Sequence, residues 1–282
     1  MARRYLVCSD LDRTALPNGP APESPGAAAA FAALARRSDV TLAYVSGRHR
    51  TLVEDAIGEY GLPVPDFVMG DVGTTLYRVD EGGEWRLEQA WERRIARDWG
   101  GHIASDLSPL LNYVEGLRAQ EPEKQNRFKL SFYLHPERWN DAFADSIRHR
   151  LSAANIEVRL VWSIDDLTGE GLLDILPRSA SKRGAIEALM EIEGFDLEDT
   201  VFCGDSGNDL DVLASPVPAV LVANARLEVK EQAASLSQEA GCPERLYIAR
   251  GGFCGMNGNY RGGMLEGIAH YHPELQSAGM ES

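Results

Sequence analysis

Tyr5-Leu-Val-Cys-Ser-Asp10-Leu-Asp12-Arg-Thr14 places two carboxylates and a hydroxyl directly after a short apolar run. The arrangement recurs far along the chain as Thr200-Val-Phe-Cys-Gly204-Asp205-Ser-Gly-Asn208-Asp209. Each apolar run reads as a buried parallel strand, so each acidic cluster falls where a strand's carboxyl end opens into a loop. In an open α/β sheet that edge is where ligands bind. Four carboxylates gathered there would repel one another unless a cation neutralised them, and a set of hard oxygen donors favours Mg²⁺. The two segments therefore predict a Mg²⁺ site split between distant parts of the chain, with a carboxylate to spare for chemistry.

The segments between them predict the frame. Strand 4–9, an Ala-rich helix over 26–37, strand Val40–Val45, a helix over 49–60 and strand Asp66–Met69 alternate, which implies right-handed crossovers and a parallel sheet. A Gly-punctuated hairpin through Gly73 to Tyr77 follows, and the pattern changes at Asp80-Glu-Gly-Gly-Glu. Residues 88–172 read as helix Trp91–Leu111, strand Phe128–Leu134, helix Glu137–Ala154 and strand Ile156–Val161, an α+β module inserted into the first fold. From Leu172 the alternation resumes with strand Leu172–Leu176, helix 181–194, strand Thr200–Cys203, a helix from Asn208 and strand Ala219–Val222. A Gly-rich stretch over 250–263 precedes a last helix, and the residues after Pro273 read as frayed. The expected fold is a Rossmann-like, doubly wound α/β core formed by 1–87 and 173–282, with an inserted α+β cap over 88–172.

With 282 residues the chain can bury a sizeable core, and 28 basic against 43 acidic residues give a net charge of -15. That charge argues against nucleic acid and anionic membrane surfaces as partners. An anionic substrate must then be held by locally placed cations, helix N-termini and metal. Cys8, Cys203, Cys242 and Cys254 lack metal-ligand spacing and are expected as buried thiols. No apolar stretch reaches membrane-spanning length and the N-terminal residues lack a signal-peptide core, so a soluble cytoplasmic protein is expected.

Two further positions join the acidic clusters. Ser46-Gly47-Arg48 ends a strand and opens a helix, where a hydroxyl, free backbone N–H groups and the helix dipole make an anion cradle. Lys182 begins a helix, where a cation opposes the macrodipole and needs another reason to be present. Neutralising crowded carboxylates and a phosphoryl group is such a reason.

Asp10-x-Asp12-x-Thr14, Ser46-Gly47, Lys182 and Gly204-Asp205-x-x-Asn208-Asp209 resemble the four motifs of the haloacid dehalogenase superfamily of phosphohydrolases. The insert is similar to a Cof-type cap. Phe67–Gly73, Phe128–Ser131, Leu173–Pro177, Val222–Ala225 and Leu265–His270 extend the resemblance to the sucrose-phosphate and mannosylfructose-phosphate phosphatases. The resemblance implies that Asp10 attacks phosphorus and that Asp12 handles the proton. It implies that Thr14, Ser46, Gly47, Arg48, Lys182 and Asn208 hold or orient the phosphoryl group. Mg²⁺ would be bound by Asp10, the backbone carbonyl of Asp12, Asp205 and Asp209. In the cap, Lys129 and Ser131 would contact the sugar. Tyr133 stands where these enzymes carry a His, with His135 two residues on. Asn257, Asn259, Tyr260 and Arg261 are expected near the mouth of the site, where Arg261 could meet an acidic substrate group such as a glycerate. The implied substrate is a phosphorylated disaccharide, with functional coupling to a sugar-phosphate glycosyltransferase as a further expectation. A glycosyl-glycerate phosphatase, a phosphosugar mutase and a non-catalytic partner of a glycosyltransferase stand as alternatives.

Overall fold

A computed structural model describes residues 3–165 and 168–276, so the last six residues of the segment read as frayed lie outside the described residues. The chain divides into two compact units: 1–87 with 182–282, and 88–181. No described helix is long and apolar enough to cross a membrane.

The first unit opens with β1 (Tyr5–Ser9), α1 (Ala27–Ala35), β2 (Val40–Val45), α2 (Arg50–Tyr60), β3 (Phe67–Gly70), β4 (Thr75–Val79) and β5 (Trp85–Leu87). The second unit holds α3 (Gln89–Ile95), α4 (Ala104–Leu111), β6 (Arg118–Ala119), β7 (Leu130–Leu134), α5 (Asp141–Ser152), β8 (Val158–Ile164) and β9 (Gly171–Pro177). The chain returns to the first unit with α6 (Lys182–Glu193), β10 (Thr200–Gly204), α7 (Leu210–Leu213), β11 (Ala219–Leu221), α8 (Leu227–Glu239), β12 (Leu246–Ile248) and α9 (Tyr260–Tyr271).

The core sheet has the order β12-β11-β10-β1-β2-β3-β4-β5, parallel from β12 to β3 and antiparallel through β4 and β5. β1 lies in the middle, where the strand order reverses. Every residue of β1 and of β10 is buried, as both faces of a doubly wound sheet require. The register pairs Ser9 with Cys203, and the Asp10 N–H donates to the Cys203 carbonyl over 2.8 Å. This pairing brings the two acidic clusters side by side across nearly two hundred residues of sequence.

The second unit carries an antiparallel sheet of order β6-β7-β9-β8. Its apolar face presents Leu130, Phe132, Leu134, Leu173 and Ile175, and its other face presents Ser131, Tyr133 and Asp174. Three expectations are corrected here. The strand expected at Leu172–Leu176 as part of the parallel core is β9, paired antiparallel with β7 and β8. Its burial alternates at first, with Leu173 and Ile175 covered and Leu172 and Asp174 half-open, as a one-sided sheet demands. The boundary thus falls between Ser181 and Lys182 rather than at 172/173. The single helix expected over Trp91–Leu111 is broken into α3 and α4, with Gly100 and Gly101 at φ 59° and 88° between them.

The Gly-rich stretch is a tightly packed connection, and α9 begins inside it. A Cβ on Gly267 would lie 2.3 Å from a Val220 methyl, and one on Gly263 would lie 2.0 Å from the Gly258 carbonyl. Glycine is what allows α9 to sit this close to β11 and to the loop. Gly267→Ala is expected to lower stability by about 1–3 kcal/mol through overpacking, read from urea unfolding; an unchanged midpoint would show that α9 does not rest on β11 in this way.

Candidate active site

Three carboxylates converge at the ends of β1 and β10. Asp10, Asp205 and Asp209 are buried, and each offers an oxygen lying within 4.8 Å of those of the other two. Lys182, the first residue of α6 and itself buried, donates from Nζ to Asp209 Oδ1 at 2.6 Å and Asn208 Oδ1 at 3.2 Å, and pairs with Asp10 Oδ1 at 3.0 Å. Its place at a helix start, against the dipole, is explained by this cluster of negative charge. Asp209 Oδ2 accepts the backbone N–H groups of Asp205 and Ser206, each at 3.0 Å. Gly204 is required by the same turn, since a Cβ there would stand 2.6 Å from the Asp209 carboxyl carbon. Asp10 Oδ1 also accepts the Leu11 N–H at 2.8 Å. Among the described residues Asp10 Oδ2 accepts no hydrogen bond, which leaves one oxygen of the pair open for chemistry.

The charges do not balance. Burial, followed by repulsion from Asp209 and Asp205, pushes the Asp10 carboxyl up to about 7 even though Lys182 opposes the shift. Burial and Asp209 push Asp205 up to about 6, with Arg13 acting against them. Lys182 is held charged: burial would lower its pKa, but Asp10 and Asp209 raise it instead. Three buried carboxylates answered by one buried ammonium leave room for a divalent cation, and the donor set is oxygen only. The residues present fit Mg²⁺.

Asp12 is arranged differently. Its carboxylate takes a two-pronged contact from Arg48, Nε to Oδ2 at 2.9 Å and Nη2 to Oδ1 at 2.6 Å, and accepts the Asn18 amide at 2.7 Å. Burial alone would raise its pKa, but Arg48 and Asn18 together hold it below the usual carboxylate range. Arg48, placed by sequence in the anion cradle, thus rests on Asp12. Ser46 is buried and its Oγ accepts the Arg48 N–H at 3.1 Å, while Gly47 is exposed with open space where a Cβ would stand. Thr14 is fully buried and its hydroxyl has no hydrogen-bond partner among the described residues. Asn18 and Arg13, whose Nε forms an ion pair with Asp205 Oδ2 at 3.3 Å, were not singled out by sequence. Arg13 occupies an unspecified position inside the first motif, and Asn18 lies beyond it, so spacing carries no signal for either.

In the second unit Lys129 and Ser131 are both buried. β7 is an interior strand of its sheet, and Ser131 Oγ lies 2.5 Å from Asp174 Oδ1 and 3.0 Å from the Lys124 carbonyl. The expectation for Arg261 is corrected. Its guanidinium is buried and grips Glu23 with both prongs, Nε to Oε1 at 2.5 Å and Nη2 to Oε2 at 2.7 Å. Asn257 and Asn259 both donate to the Pro22 carbonyl. These residues tie the Gly-rich loop to the 22–24 segment, and Arg261 is already neutralised by a carboxylate of its own chain.

The family model for sucrose-6F-phosphate phosphohydrolase matches residues 3–272. The chain belongs to this family, among the haloacid-dehalogenase-type sugar-phosphate phosphatases. A HAD-like hydrolase of Nitrosococcus oceani is 49% identical over 278 residues, covering 98% of this chain and 74% of that one. Mannosylfructose-phosphate phosphatase of Agrobacterium fabrum is 31% identical over 192 residues, covering 67% of this chain and 71% of its own. Sucrose-phosphatase 1 of tobacco is 29% identical across 96% of this chain, which spans 60% of that protein's length. The crystal structure of sucrose-phosphatase from Synechocystis sp. PCC6803, with sucrose and phosphate bound, superposes with a TM-score of 0.70 at 27% identity, covering 96% of this chain and 98% of that one.

The raised carboxyls have a measurable consequence. An acid whose folded pKa exceeds its unfolded value near 3.8 binds more protons when folded. Its contribution to stability is present below that unfolded value and is lost as pH rises through about 6 to 7. Thermal unfolding in EDTA should therefore show the melting temperature falling from pH 5 to 7.5, and Mg²⁺ should restore it most at the alkaline end. A melting temperature that rises over this range in EDTA would contradict the burial of unbalanced carboxylates.

Proposed function

We propose that this chain hydrolyses the phosphomonoester of a phosphorylated disaccharide, with sucrose 6-phosphate as the first candidate and mannosylfructose phosphate as the second. The observation that carries the reading is the Asp10 carboxylate at the end of β1, with Oδ1 tied to Lys182 and Leu11 and Oδ2 open, the residue for which the motif resemblance implies a nucleophile.

In this reading Asp10 Oδ2 attacks phosphorus, the bond from phosphorus to the sugar oxygen breaks, and an aspartyl-phosphate forms. Asp12 supplies the proton that the departing sugar oxygen takes. It then removes a proton from the water that cleaves the aspartyl-phosphate, which regenerates Asp10 and releases inorganic phosphate. The pairing with Arg48 suits Asp12 to the second step, since it keeps the carboxylate ionised, and proton donation in the first step requires Arg48 to let go. Lys182, held charged and dry, stabilises the negative phosphoryl oxygens, and Ser46 and the Gly47 backbone bind them beside it. The buried Thr14 hydroxyl, unpartnered among the described residues, is left to a phosphoryl oxygen, and Asn208 orients Lys182 by accepting its ammonium. Asp10, Asp205 and Asp209, with the Asp12 carbonyl, would hold Mg²⁺, which supplies charge neutralisation for the phosphoryl group when bound.

Sugar recognition is assigned to the polar face of the cap sheet, with Lys129 and Ser131 as hydroxyl contacts. The glycosyl-glycerate alternative loses its anchor, because Arg261 is committed to Glu23. The proposal does not extend to a glycosyltransferase partner.

Phosphate release across a panel of sucrose 6-phosphate, mannosylfructose phosphate, trehalose 6-phosphate and a glycosyl-glycerate phosphate, with Mg²⁺ and with EDTA, tests the reading. Preference for the first two, loss in EDTA, and at least a 10³-fold drop in kcat for Asp10→Asn, on the order of 4 kcal/mol of barrier, are expected. Lys129→Ala should raise KM more than it lowers kcat. Equal rates on all four substrates, or isomerised product without free phosphate, would sink the proposal.

A further inference from the structure

Arg13 stands on the rim of the acidic cluster in a conformation that an arginine adopts only under constraint. Its φ is 55°, the left-handed region that L side chains avoid. Two asparagine side chains hold it there. The Arg13 N–H donates to Asn18 Oδ1 at 2.8 Å, and the Arg13 carbonyl accepts Asn224 Nδ2 at 2.7 Å. The same Asn224 accepts the Tyr260 N–H on Oδ1 at 2.8 Å, and Tyr260 is itself left-handed at φ 47°. Tyr260 is fully buried, and its hydroxyl crowds Gly19 alongside the Arg13 stem: a Cβ on Gly19 would lie 2.8 Å from the hydroxyl and 3.2 Å from Arg13 Cγ. The Gly-rich loop at the start of α9 therefore reaches the first motif through Asn224 and Tyr260. The outcome of this bracing is the 3.3 Å contact from Arg13 Nε to Asp205 Oδ2. The guanidinium is 42% exposed and the carboxylate 5%, so the cation comes from the open side onto a nearly dry acid.

We propose that Arg13 is a place-holding cation for the metal site, a positioning residue that caps Asp205 when no Mg²⁺ is bound and lowers the affinity for Mg²⁺ by competing for it. The Gly-rich loop sets where that cation stands. The proposal rests on the reading of Asp10, Asp205 and Asp209 as Mg²⁺ ligands. A positive charge beside an acidic cluster offsets part of the repulsion among its members, and the same charge opposes a second cation that arrives there. The pair is partly solvated, so the effect is modest.

Calorimetric titration of the full-length protein with MgCl₂, together with thermal unfolding in EDTA, tests the assignment. Arg13→Gln should bind Mg²⁺ about three- to tenfold more tightly than the unsubstituted protein while melting at a lower temperature in EDTA. Arg13→Lys, which keeps the charge on a single-point donor, should fall between the two. Asn224→Ala, which frees the Arg13 backbone, should shift affinity in the same direction as Arg13→Gln and by less. A residue with a purely structural role would weaken Mg²⁺ binding when replaced, so tightening is the distinguishing sign. Unchanged or weaker binding in both Arg13 variants would overturn the proposal while leaving the metal site in place. Failure of the unsubstituted protein to bind Mg²⁺ would remove the site itself and the proposal with it.

Discussion

The contact of Lys182 with Asp10 and Asp209 is the constraint on which the catalytic unit turns. β1 and β10 are neighbours in a parallel sheet, and each is followed directly by an aspartate, so closing the sheet necessarily concentrates negative charge at one edge. Buried carboxylates that close together are unfavourable unless paired or hydrogen-bonded. One ammonium at the start of α6, two backbone N–H groups from the turn after β10 and a half-exposed arginine meet part of that demand. What remains unmet is an excess of negative charge that a divalent cation would answer.

Two aspartates only two residues apart end up in opposite electrostatic states. Asp10 points into the buried cluster and is raised by burial and by its acidic neighbours, whereas Asp12 faces Arg48 and Asn18 and is lowered. Environments that push the pKa values of paired acids apart are how one constellation assigns different duties to identical side chains. The separation arises from geometry: the backbone at Arg13 turns left-handed immediately after Asp12, and Asn18 and Asn224 hold that turn from both sides.

Much of this was legible from local pattern. The apolar runs before Asp10 and Asp205, the helix start at Lys182 and the strand ending at Ser46 each carry their own signal, and all four lie in the elements expected of them. β9 was misplaced because a strand's sheet partner is a property of the whole chain. A short run such as Leu172–Leu176 fits a parallel core as readily as the middle of an antiparallel cap sheet, and only the alternation in its burial distinguishes them. The Gly100-Gly101 interruption was hidden by apolar periodicity on both sides of it. Arg261 looked like a free cation near the site because its partner, Glu23, lies 238 residues away.

The amino-acid sequence by itself determined which short segments carry the acidic and basic side chains of the site, and through their resemblance to the four motifs it pointed to the phosphatase class that the family match over residues 3–272 bears out. Tertiary structure decided what the loops between those segments do. It committed Arg261 to Glu23, turned Arg48 onto Asp12, and carried the Gly-rich loop through Asn224 and Tyr260 to Arg13 and the acidic edge of the sheet. The physical reason is range. A strand, a cap or a turn is encoded within a few residues, whereas the partner of a buried charge is chosen by the packing of segments that the sequence keeps far apart.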